Sequence, residues 1–163
     1  MSEQQPINQE SQWAEHEQNL RTLAAQGDVE ACYQLVVYFE NQFFSTEVEE
    51  AQQRVNLLVD ASNAKHAAAS LLLGRWYLQG HYVEANLQHA IAFFEFAANE
   101  CQSSDAYNEL ANLYLQGVFV VVNQEKAMHY LKKAVALKNA EATYAYAVLL
   151  LNHDLEQAFA LLQ

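Results

Sequence analysis

Hydrophobic residues recur along the chain at helical spacing, in blocks that come in pairs. Ala69, Leu73 and Tyr77 fall at i, i+4 and i+8 on one helix face, and Ala106, Leu110 and Tyr114 repeat that spacing. Behind each block lies a second stripe: Ala90, Phe93, Phe94 and Ala97 in one case, Ala127, Tyr130, Leu131 and Ala134 in the other. Each unit therefore predicts two helices. The units are also in register. Gly80 and Gly117 each close a YLQG and lie 37 residues apart, as do Ala90 and Ala127, and Ala97 and Ala134. A constant interval of that size between two-helix units marks a helical repeat.

Two weaker copies flank the clear ones, VEACYQLVVYF from Val29 and EATYAYAVLLL from Glu141, the last with its loop shortened to NHD. The pattern predicts an all-α fold: a right-handed α-α superhelix, or solenoid, of about four two-helix repeats. The repeats fall near 28–63, 65–101, 104–138 and 140–163, within one domain over 11–163. An N-terminal capping helix is expected at 11–26, and a disordered tail at 1–10.

Local signals refine this. Gly74 and Ala111 are equivalent, with Val36 and Ala147 in the outer copies. A glycine inside a helix costs about 1 kcal/mol relative to alanine, so Gly74 predicts a side chain packed against bare backbone. The run VFVVV, residues 118–122, has the composition of a strand. It follows Gly117 and precedes Asn123, however, and its counterpart after Gly80 is HYVEA, then Asn86. It reads as the loop between two helices, with some valines turned inward and Phe119 and one valine left exposed. Asn123 can cap the following helix. Thr46 and Glu49 can form a capping box, and Gly27, Asn63 and Asn139 sit where a left-handed residue would end a helix.

Composition narrows the function. The chain has 163 residues, 52% hydrophobic and 17% charged, which excludes disorder for most of it. No apolar run approaches the roughly 18 residues a membrane span needs. The polar, acidic N-terminus has no secretory pattern, so a cytoplasmic location is expected. The net charge of −12 is uneven: residues 1–60 hold eleven carboxylates against Arg21 and Arg54. Such a surface repels phosphate backbones, so no nucleic-acid partner is expected.

The order of alanine, leucine-glycine, tyrosine, glycine, a long loop, an asparagine cap and an alanine-marked second helix resembles the Sel-one-like repeat, a relative of the tetratricopeptide repeat. The residues are Ala69, Leu73, Gly74, Tyr77, Gly80, Asn86, Ala90 and Ala97, then Ala106, Leu110, Ala111, Tyr114, Gly117, Asn123, Ala127 and Ala134. Some secreted members of that family pair cysteines within each repeat; Cys32 and Cys101 here stand alone and read as reduced thiols. The resemblance implies an adaptor or scaffold role.

Catalytic patterns are missing. The six histidines form no HExxH, and there is no phosphate loop and no GxSxG. The sequence thus predicts no enzyme activity, no cofactor and no metal site. What remains is surface. First helices should line the concave side of the solenoid, where the stripe beside the core comprises Tyr33, Val37, Asn41, Leu71, Arg75, Gln79, Asn108, Asn112, Gln116, Tyr144 and Val148. Arg75, Asn108 and Asn112 are the favoured contacts; Trp76 reads as core. Phe119 and, on the last helix, Leu155, Phe159 and Leu162 are further exposed candidates, the latter three for a homodimer or a partner covering an uncapped end. The expected function is a protein-protein interaction module binding a protein or peptide. The alternatives are an inhibitor or immunity-type protein acting on one effector enzyme, and a hydrolase.

Overall fold

The computed structural model describes residues 9–40, 48–151 and 154–161. Over these residues the chain is all α-helical: α1 Gln9–Ala25, α2 Val29–Glu40, α3 Val48–Asn63, α4 Ala67–Gln79, α5 Leu87–Asn99, α6 Ser104–Gln116, α7 Gln124–Ala136, α8 Ala140–Leu150 and α9 Leu155–Leu161. Each helix packs mainly on its neighbours in sequence, which is how a superhelix of stacked pairs is built. Thr46 of the expected Thr46–Glu49 capping box and most of the expected N-terminal tail lie outside the described residues.

The sequence periodicity becomes the core. Ala69, Leu73, Ala90, Phe94 and Ala97 are essentially inaccessible, and so are Ala106, Leu110, Ala127, Leu131 and Ala134 one repeat later. Above them, Tyr77 stacks on Phe93 at 5.6 Å between ring centroids, and the equivalent Tyr114 stacks on Tyr130 at 6.0 Å. Desolvation, with Glu95 nearby, pushes the Tyr130 hydroxyl up to about 12. Gly74 has the facing side chain its position predicts: a Cβ there would stand 2.6 Å from Cδ1 of Phe94. One repeat on, the larger Ala111 is matched by Leu131 at the position of Phe94.

Within repeats, the two long loops begin and end alike. Gly80 and Gly117 are left-handed, at φ +74° and +65°. The backbone N–H of Asn86 donates to the Tyr77 carbonyl at 2.8 Å, and that of Asn123 to the Tyr114 carbonyl at 3.0 Å. The two asparagine side chains then cap α5 and α7 by accepting from the N–H groups of His89 and Lys126. VFVVV is accordingly a loop. Its valines, though, do not turn inward as expected. Val118, Val121 and Val122 are 71%, 88% and 58% exposed, Phe119 is exposed as well, and only Val120 is half-buried. Backbone bonding at Asn123 and the seating of Val122 over Gly117 fix the loop, so the other side chains are not needed to hold it.

Between repeats, a left-handed residue is followed by an N-cap four times: Gly27–Asp28, Lys65–His66, Gln102–Ser103 and Lys138–Asn139. This corrects the expectation for Asn63 and Asn139. Asn63 ends α3 two residues before the left-handed Lys65, and Asn139 is the cap of α8. An asparagine side chain is better placed accepting a helix N–H, leaving the unusual backbone angle to the residue before it.

Candidate functional site

The first helices α2, α4, α6 and α8 repeat the same positions at intervals of 36 to 38 residues, so the stripe can be read row by row. In the first row stand Tyr33, Leu71, Asn108 and Tyr144. Tyr33 is half-buried against the His66 ring at 4.8 Å. Leu71 and Asn108 are 8% and 6% exposed, whereas Tyr144 is 65% exposed. Leu71 belongs to the hydrophobic core, so it packs between repeats and is not an open contact. Asn108 is a correction of the same kind, with one difference: its Oδ1 is buried and has no hydrogen-bond partner.

The second row is more open. Arg75 is exposed and Asn112 half-buried, with the half-buried Val37 and exposed Val148 at the ends. Arg75 is tied across the repeat junction to Glu109, its Nε donating to Oε1 at 3.0 Å and an Nη donating to the same oxygen. Gln79 and Gln116, exposed, complete the third row; Asn41 lies outside the described residues. Of these positions on α4 and α6, Arg75, Gln79 and Gln116 are exposed and Asn112 is half-buried. Trp76 turns the other way and is buried.

The C-terminal candidates form an exposed apolar edge. Leu155 and Phe159 on α9 join Tyr144, Val148 and Leu151 in facing outward, while Leu162 lies outside the described residues. The chemistry elsewhere is quiet. Burial pushes the Cys32 and Cys101 thiols up, away from the reactive thiolate. Among the described residues, no group of three or more His, Cys, Asp or Glu side chains could hold a metal ion, and no helix is long and apolar enough to cross a membrane.

One cluster escaped the sequence reading. Arg54 on α3 is 4% exposed, and its Nη1 donates to the Tyr82 hydroxyl at 2.6 Å. The charge count marks it only as one of two arginines in an acidic stretch, and burial of a guanidinium has no signature in spacing.

Comparison with known proteins agrees with this architecture. The Sel1 repeat model matches residues 67–100 and 104–139. No curated protein matches the sequence. Among solved structures, a Sel1 repeat protein from Oxalobacter formigenes is similar, with a TM-score of 0.66 and 24% identity over 80% of this chain and 37% of that one. A protective antigen of uropathogenic Escherichia coli strains with an SLR fold gives 0.68 and 19%, over 80% and 27%. Cysteine rich protein B of Helicobacter pylori gives 0.59 and 21%, over 77% and 93%. The chain therefore spans about a third of the length of the first two and nearly all of the third.

Proposed function

Because this chain belongs to the Sel1-like repeat family, we propose that it is a non-catalytic module gripping a partner protein or peptide on the concave face of its superhelix. Proteins built from Sel1 repeats act generally as protein-interaction modules. The observation that carries the reading is the polar strip of exposed Arg75 and Gln79 on α4 with half-buried Asn112 and exposed Gln116 on α6. Consecutive first helices present it at one repeat spacing. Asparagine is a poor choice inside a helix unless its amide is used, and an uncharged amide can both donate to and accept from a partner. Arg75 adds a planar donor at the centre of the strip, where interface energy tends to concentrate.

The test is affinity capture with the wild-type chain and with an Arg75→Glu, Asn112→Ala double variant. Circular dichroism verifies that both are folded, since losing the exposed Arg75–Glu109 pair costs only about 0.2–1 kcal/mol. The reading expects the captured partner to fall by about tenfold or more. Undiminished capture by the folded variant contradicts it.

A further inference from the structure

The strongest unused feature of the molecule is the surroundings of Arg54. A guanidinium has five N–H donors, and a buried one is costly unless they are used. Among the described residues, Arg54 makes one hydrogen bond, toward the neutral Tyr82 hydroxyl. Two carboxylates form loose ion pairs with it outside hydrogen-bond range, Glu40 at 3.7 Å and Glu50 at 3.9 Å. Its charge is further eased by the faces of Phe39 and Tyr82, at 5.3 and 5.1 Å from the ring centroids. Its charge is paired, but its N–H donors are not all used among the described residues, and it lines a cleft of about 290 Å³ between α1, α2 and α3.

The rest of the cleft matches that donor. Its apolar side is Leu35, Phe39 and Leu57. Arg21 from α1 also lines it, holding its guanidinium 5.1 Å from the Phe39 centroid, so one ring lies beneath two guanidinium groups. Arg21 engages Glu17 through Nε alone, at 2.8 Å. Arg21 and Arg54 are the only bases in the first sixty residues, and both line this cleft. Glu17, Glu40 and Glu50 together outnumber the two guanidinium charges, so an anion is not drawn in by net charge. It is selected by geometry: planar donors that suit a carboxylate, beside an apolar floor.

We propose that this cleft is a binding site for a small amphipathic carboxylate, its oxygens taking the free N–H donors of Arg54 and Arg21 and its apolar body lying on Phe39, Leu35 and Leu57. Glu50 is exposed and yields its loose place beside Arg54 to the ligand. A volume near the lower end of small-molecule pockets, which start at about 300 Å³, limits the body to one ring or a short chain. None of the strip residues on α4 and α6 takes part, so the site stands or falls independently of the partner-binding reading.

The chain has three arginines, which makes the experiment direct. Their Nε–H signals can be followed by ¹⁵N nuclear magnetic resonance while 3-phenylpropanoate is added, with Arg75 as the control outside the cleft. The expected result is a saturable shift of the Arg54 and Arg21 signals, a still Arg75 signal, and binding of 3-phenylpropanamide weaker by about tenfold or more. Arg21→Gln, at an exposed position, should leave the fold intact and weaken the acid at least about threefold, read at Arg54. Absence of a saturable Arg54 shift up to ~10 mM, equal shifts at all three arginines, equal binding of the amide, or undiminished affinity in Arg21→Gln would each overturn the assignment.

Discussion

At Gly74 the backbone of α4 approaches Phe94 so closely that no side chain fits between them, and the next repeat solves the same problem with Ala111 and Leu131. The sequence showed the glycine but not its partner, because periodicity places both stripes without saying which residues meet. Two consequences follow for single residues. Gly74→Ala should destabilise by about 1–3 kcal/mol through overpacking against a ring that is fully buried. Adding Phe94→Leu should recover at least about 1 kcal/mol of coupling in a urea double-mutant cycle, because the pair then copies the following repeat. Glu30 gives the second. His66 accepts the Ala69 N–H at Nδ1, so its Nε2 carries the proton and donates to Glu30 at 2.9 Å. That bond, then one from Gln34, holds the Glu30 carboxyl below its ordinary 4.5. A depressed folded value means the stabilisation is present above pH 4.5 and is lost as pH falls through the folded value. The stability gap between wild type and Glu30→Gln, read as urea midpoints, should accordingly shrink below pH 4.5.

Among the elements, helices were legible and turns only partly so. Glycine and asparagine announced the within-repeat loops, since few other residues suit a left-handed end or an N-cap as well. Lys65, Gln102 and Lys138 announced nothing, because their left-handed backbone is imposed by the connection and runs against their own preference. Lys138→Gly should therefore stabilise by up to about 1 kcal/mol in thermal or urea unfolding, as glycine adopts φ +62° without strain. The valine loop misled in a different way. Its composition suggested partial burial, yet backbone bonding at Asn123 and Val122 over Gly117 secure it, leaving Val121 at 88% exposure. Val121→Thr should alter stability by less than about 0.5 kcal/mol while lowering the fluorescence of an apolar-surface dye.

For the molecule as a whole, the 37-residue interval in the sequence was sufficient to give the stacked architecture, because each repeat buries its faces only against its neighbours. The surface was less legible. Leu71, Asn108 and Tyr144 occupy one row of the stripe, yet two are buried and one is open; stacking decides this, not residue type. The central claim is that the first helices form the working wall of this stack. Hydrogen–deuterium exchange on the chain with its captured partner tests it most directly. Slowed exchange along Ala67–Gln79 and Ser104–Gln116, with Leu87–Asn99 and Gln124–Ala136 unchanged, is the predicted result. Slowing confined to the second helices, with the first helices exchanging as in the free chain, would contradict it.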